Sequence, residues 1–229
     1  MYSERLSTFP GAVVWTNTPG GPGGVYPVLP DGCMDLLWAE GRLLVAGPDT
    51  RAYRPQSAPG AVVTGIRFAP GTAPALLGVP AYELLDQRVE LADLWPAGRV
   101  RRLTGMVEAA PDPRTALEEL ARASGPAAVD PALLHTARRL REGAAVADVA
   151  RETGVTARTL HRRSLTAFGY GPKTLARILR LQRALHLSRT GLTPADTAAA
   201  AGYADQAHLA RDVRNLAGMP LGELLALNP

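Results

Sequence analysis

Apolar residues follow two rhythms along this chain. Up to about residue 70 they form short runs closed by Gly, Pro or Asp: Ala12-Val-Val-Trp15, Met34-Asp-Leu-Leu-Trp38, Arg42-Leu-Leu-Val-Ala46 and Ala61 to Phe68. Val and aromatic residues recur inside these runs, which predicts four strands of a small, mostly antiparallel β unit over about residues 9–70, as a barrel or a sandwich. Thr18-Pro-Gly-Gly-Pro-Gly-Gly24 is a loop on composition alone. From residue 71 the rhythm becomes helical. Short helices are expected over Thr72–Leu77 and Ala81–Leu85, and longer ones over Arg99–Glu108 and Arg114–Ala123, with Pro80, Pro111 and Pro113 as breaks. Ser124-Gly-Pro126 reads as a domain boundary, dividing the chain at 1–125 and 126–229. Asp130-Pro131 then supplies an N-cap and a first-turn proline for a helix that stops at Gly143.

Within 126–229 a motif occurs twice. Val146 to Arg162 and Pro194 to Arg211 each place Ala four residues before Gly, Leu six or seven after that Gly, and Arg two after the Leu. The spacing is that of a helix-turn-helix. The small Ala150 and Ala198 let two helices approach closely, and Gly154 and Gly202 take the positive φ of a tight turn. Thr156 and Asp205 cap the second helix, and Leu160 and Leu209 anchor it. Between the copies, Lys173 to Ser188 has Leu175, Ile178, Leu179 and Leu185 at helical spacing with Arg177, Arg180 and Arg183 between them. A helix of that length spans roughly 24 Å, which suits a spacer between two helices in successive major-groove turns about 34 Å apart. Whether its arginines meet phosphates or solvent is open at this level.

These residues carry a resemblance. With Arg162, Arg163, Gly169, Pro172, Arg180-Leu-Gln-Arg-Ala184, Gly202-Tyr-Ala-Asp-Gln206, His208, Leu209, Arg211 and Gly218, residues from about 127 to 225 look like the DNA-binding domain of the AraC/XylS family of bacterial transcription regulators. The resemblance implies two helix-turn-helix units joined by a long linker helix, each placing a recognition helix in the major groove of double-stranded DNA. Carried over by position, the base-reading residues are Arg158, His161 and Arg162 in the first unit and Gln206, Ala207 and Arg211 in the second, with Thr156 where a helix N-terminus meets a phosphate. Arg suits guanine, Gln suits adenine, and Ala207 offers only an apolar contact. Ser164 stands where the family has Phe and is expected to leave a gap that Phe168 or Leu165 fills. Leu221 stands where Pro is usual.

Charge agrees with this division. Of the net +4, residues 1–125 contribute −2 (11 Arg against 13 Asp and Glu), and residues 126–229 contribute +6 (14 Arg and Lys against 8). Hydrophobic residues at 46% suffice for a core. The single cysteine, Cys33, excludes a disulfide framework and a multi-cysteine zinc site, and the four histidines all lie at 135 or beyond, so no His-ligated metal is expected in the front half. No cofactor and no catalytic residues are expected. No run of 18 apolar residues occurs, so no membrane partner is expected and a cytoplasmic location is.

The front half resembles a domain of unknown function found ahead of some AraC-like regulators, through Leu29-Pro-Asp-Gly-Cys-Met-Asp-Leu-Leu-Trp38, Gly47-Pro-Asp-Thr50 and Gly65-Ile-Arg-Phe-Ala-Pro-Gly71. The broader family often carries a cupin-like sensing domain there. The expected whole is therefore α+β: an antiparallel β unit followed by a helical stretch over 71–125, then an all-α reader. A small-molecule effector is expected at the front domain, with Trp15, Tyr26, Asp31, Cys33, Asp35, Trp38 and Arg67 as its candidate residues. Core packing competes for each aromatic, and a turn competes for Asp31-Gly32. Arg67 should point away from Ile66 and Phe68, either solvated or paired with Asp31 or Asp35. Carboxylates beside Cys33 disfavour a reactive thiol.

Three classes of function compete. A sequence-specific regulator modulated by a small molecule fits best. A cysteine-based sensor or DNA-repair-type enzyme fused to a DNA reader lacks a base or metal near its one thiol. A DNA-binding protein without a ligand predicts no pocket. Activator or repressor, monomer or homodimer, and RNA polymerase as a second partner all stay open.

Overall fold

The computed structural model describes residues 1–18, 27–55, 60–124 and 129–227. Six strands form one antiparallel sheet: β1 (Tyr2–Leu6), β2 (Ala12–Asn17), β3 (Met34–Ala39), β4 (Arg42–Ala46), β5 (Val63–Phe68) and β6 (Arg88–Glu90), in the spatial order β1-β2-β5-β3-β4-β6. Among the described residues the ladder stays open, with β1 and β6 as its edges. The four expected strands are present. The edge strands were not expected from the sequence, because Tyr-Ser-Glu-Arg-Leu is exposed throughout and β6 is three residues long. Most of the 18–24 loop, and the residues directly after Ser124 where the domain boundary was expected, lie outside the described residues.

Period-two alternation splits the sheet into two faces. Val14, Leu36, Val45, Ile66 and Phe68 point inward and are almost fully buried. They pack under α1 (Ala73–Leu77), a 3₁₀ turn (Ala81–Leu84), α2 (Leu91–Leu94), α3 (Ala97–Ala109) and α4 (Pro113–Ala123), where Leu76, Leu91, Val107, Leu117 and Leu120 complete one core. Arg5 on β1 reaches this side and holds the buried Glu118 of α4 through both carboxylate oxygens, at 3.1 and 2.9 Å.

The second core belongs to seven helices: α5 (Pro131–Glu142), α6 (Val146–Glu152), α7 (Ala157–Phe168), α8 (Pro172–Arg189), α9 (Pro194–Ala201), α10 (Gln206–Ala217) and α11 (Leu221–Leu227). Their boundaries follow from cap chemistry. Asp130 accepts from the Ala132 amide at 2.9 Å, and Gly143 ends α5 at φ 94°. Leu140, Val149, Leu160, Leu175, Ile178, Leu179, Leu209 and Val213 fill the interior. Ser164 is fully buried with its hydroxyl unpartnered, and Phe168 lies beside it in the same core.

The two cores touch. Leu29 and Leu85 from the front half pack against the helical cluster. Gln182 of α8 donates to the Pro30 carbonyl at 2.6 Å, and the Ala52 amide donates to the Leu216 carbonyl at the end of α10 at 2.7 Å. Gly169, at φ 82°, shows how tight the fit is. A Cβ there would lie 2.6 Å from the Pro48 ring. The loop that docks on α10 is fixed behind by the Arg88–Asp49 pair, with bonds of 2.8 and 2.6 Å, and by Arg88 lying over the Tyr53 ring.

Candidate nucleic-acid interface

Both copies of the repeated motif fold as helix, glycine turn, helix. Ala150 and Ala198 are buried where the paired helices meet, and Gly154 and Gly202 take φ 68° and 81°. Thr156 caps α7 by accepting from the Thr159 amide at 3.2 Å, and Asp205 caps α10 by accepting from the His208 amide at 2.6 Å. Each second helix is amphipathic. Leu160, Ser164, Ala167 and Phe168 face inward on α7; Leu209, Asp212, Val213 and Leu216 do so on α10. The opposite faces present Arg158, His161 and Arg162 at i, i+3 and i+4, and Gln206, Ala207 and Arg211. All six are exposed, and among the described residues Arg158, Arg162 and Arg211 have no ion-pair partner. The His161 ring lies against the α carbon of Gly171, so the ring itself is packed there. The Thr156 hydroxyl is likewise spoken for by the cap and by Thr159 Oγ1 at 3.0 Å.

A family of helix-turn-helix domains matches residues 149–226 of this chain. The match covers the second copy of the motif, the linker, and all but the first three residues of the first copy. The chain carries a helix-turn-helix domain, as its resemblance to the AraC/XylS family implies. It is a DNA-binding transcription regulator, and its partner is DNA. A domain of unknown function (DUF6597) matches residues 12–90. No curated protein matches the sequence. Among solved structures, the chain is similar to an apo alanine variant of ToxT from Vibrio cholerae, at 12% identity and TM-score 0.50, over 97% of this chain and 100% of that one. ToxT from Vibrio cholerae is also matched at 11% identity and TM-score 0.49, over 95% and 97% of the two chains. At such identities the likeness is one of fold: an antiparallel sheet domain ahead of a helical one.

Most linker-helix arginines are engaged within the helical half itself. Arg177 and Arg180 both pair with Asp212, which is buried and also accepts from the Tyr203 hydroxyl at 3.1 Å. Arg180 lies over the Tyr203 ring at 4.3 Å. Arg183 donates to the carbonyls of Arg141 and Ala201 at 2.7 and 2.6 Å. In α5, Arg139 bonds Glu152 and Glu142, and Arg138 bonds Glu142. Much of the positive charge in this half therefore organises helices. The arginines left without a carboxylate concentrate on α7 and α10.

In the front domain the structure brings four of the candidate ligand residues together on the outward face of the sheet. Gly65 has no side chain, so the Trp15 indole lies across β5, and a Cβ there would sit 2.6 Å from the ring. The indole NH thereby reaches Asp35 Oδ1 at 2.7 Å. Arg67 points away from Ile66 and Phe68, with its Nε 3.4 Å from Asp31 and 3.5 Å from Asp35. Burial pushes the Asp35 carboxyl up to about 6, against the pull of Arg67. Arg67 Nε makes no hydrogen bond.

Trp38 leaves this group, whereas Cys33 stays beside it. Trp38 is three positions from Asp35, so the strand turns it to the opposite face, where it packs against the front core. Cys33 sits in the turn before β3, its amide donating to Asp31 at 2.8 Å. Burial drives its thiol well above the usual range, with Asp31 adding to the rise. Tyr26 lies outside the described residues. Gly65, which makes the Trp15–Asp35 bond possible, shows in the sequence only as a glycine inside a strand pattern, with nothing to name the ring that crosses it. Its role depends on a neighbour 50 positions away.

Proposed function

We propose that residues 126–229 read two successive major-groove turns of double-stranded DNA, with Arg158, His161 and Arg162 facing bases in one and Gln206, Ala207 and Arg211 in the other. Residues 1–125 then form the domain that senses a small molecule. The observation that supports the reading is the repetition itself. Two equivalent helices, α7 and α10, each expose an N-terminal face carrying unpaired arginine, and one 18-residue helix between them bonds to α10 and to the end of α5, beside the first unit. Arg supplies bidentate donors for guanine, and Gln206 pairs best with adenine.

The outward face of the sheet supports the sensing role. Trp15, Asp31, Asp35 and Arg67 set an aromatic surface beside partly buried charges. The Asp31 turn belongs to this cluster and to the domain contact at once. Pro30 accepts from Gln182, and Gly32 packs on Leu175 and Leu179 of α8. A ligand that draws Arg67 away from Asp31 would loosen that turn where it meets the linker helix.

Selection of the full-length chain against a random duplex library tests the DNA reading. Two preferred blocks separated by about 10–10.5 base pairs are expected. A single block, or no preference, would contradict it. An effector found by thermal shift should change affinity for the selected duplex in the wild type and not in Arg67→Ala.

A further inference from the structure

A groove of about 280 Å³ lies between the residues leading into α6, one face of α8 and the turn after α9. Lys173, Arg177, Arg180 and Arg183 line it, spaced four, three and three residues apart, so one stripe of α8 carries four cations. Among the described residues one carboxylate answers them, Asp212, shared by Arg177 and Arg180. Arg183 is held by two carbonyl oxygens, which bring no formal charge. The Nε atoms of Arg180 and Arg183 are buried without a hydrogen-bond partner. Lys173 is exposed and has no ion-pair partner among the described residues. The groove thus holds a surplus of positive charge beyond what binding the helices together uses.

Its position gives the surplus a use. At one end Lys173 follows Gly171, against which the His161 ring of α7 lies. At the other end Gly202 stands three residues before Asp205, the cap of α10. The groove therefore runs along α8 from one reading helix to the other. A duplex engaged by both helices must carry its intervening backbone across this line.

We infer that the groove seats phosphates of the DNA backbone between the two reading helices. Lys173 contacts a phosphate directly; Arg177, Arg180 and Arg183 supply the field and stay in their structural bonds. The inference rests on the two-helix reading proposed above. A phosphodiester fits better than a free anion, because the groove is open and its cations are strung along a helix rather than converged on one point. Such a contact positions the protein and carries no sequence information.

The test uses the full-length chain, a selected duplex and an unrelated duplex, with affinities measured from 50 to 200 mM salt. Lys173→Ala is expected to weaken both duplexes by the same factor. It should lower the slope of log K against log salt by about 0.9, one phosphate's worth of counterion release. Lys173→Arg should keep the wild-type slope, and the thermal midpoint should not move. An unchanged slope in Lys173→Ala, while Arg162→Ala still weakens the selected duplex selectively, would overturn the groove and leave the reading standing. Loss of selectivity in neither variant would sink the reading itself. Pyrophosphate binding to the free protein, abolished by Lys173→Ala with the salt slope intact, would assign the groove to a free anion instead.

Discussion

The Arg183 guanidinium donates to the Ala201 carbonyl oxygen at 2.6 Å, so a side chain of the linker helix closes the last turn of α9 in the second unit. The same guanidinium donates to the Arg141 carbonyl at the end of α5, beside the first unit, at 2.7 Å. Helix C-termini leave carbonyls without intrahelical partners and attract cations. One arginine meeting two such ends ties α5 and α9 to the linker helix. Arg183→Ala is expected to lower the stability of the chain by about 1–3 kcal/mol in urea denaturation, the range for charge-assisted bonds partly open to water. A change under about 0.5 kcal/mol would mean that water replaces the side chain without loss.

Arg162 and Arg211 occupy equivalent places, each two residues after the anchoring leucine, and both are exposed without a carboxylate partner among the described residues. Arg162→Ala and Arg211→Ala should each cost about 1–3 kcal/mol on the selected duplex and relax base preference at one position. Competition binding against duplexes substituted at single positions measures this. An equal loss on every sequence would place both side chains on phosphate.

Cys33 is the one thiol, and burial together with Asp31 raises its pKa well above the ordinary range. Thiolate is the reactive form. Native protein at pH 8 should therefore resist iodoacetamide, become labelled on unfolding, and show the same DNA binding after mild peroxide as Cys33→Ser. Rapid labelling of the folded chain would revive the thiol-sensor reading.

Two carboxylates give acid stability opposite slopes. The paired hydrogen bonds from Arg5 hold Glu118 down at about 2, so its contribution is complete above its ordinary value of 4.5 and is lost as pH falls toward 2. Asp35, raised by burial to about 6, takes up a proton more readily in the folded state. Its ionisation costs stability as pH rises from about 4 to 6. Urea midpoints across pH 2–7 should show Glu118→Gln flattening the lower window and Asp35→Asn the upper one. Unaltered slopes would mean that neither group is perturbed as its surroundings indicate.

What the sequence made legible was local. Strands β2 to β5 were readable because each is an apolar run with turn residues at its ends, and the inward set Val14, Leu36 and Ile66 follows from alternation. The repeated Ala–Gly–Leu–Arg spacing located both helix-turn-helix units, since caps and turns depend on residues within one motif. The chemistry of α8 was visible and its partners were not. Arg177 and Arg180 find Asp212 more than 30 positions away, and Arg183 finds carbonyls, which have no residue-type signature. Trp38 reads as a pocket aromatic on residue type alone, although its odd separation from Asp35 on a strand puts the two on opposite faces. The contacts between the two cores, Gln182 with Pro30 and Ala52 with Leu216, use backbone atoms that no composition reveals.

Hydroxyl-radical footprinting of the full-length chain on a selected duplex tests the account most directly. Two protected segments whose centres lie about one helical turn apart, 10–10.5 base pairs, are predicted, with Arg162→Ala weakening one and Arg211→Ala the other. One protected segment lost equally in both variants would contradict a protein that reads DNA with two helices.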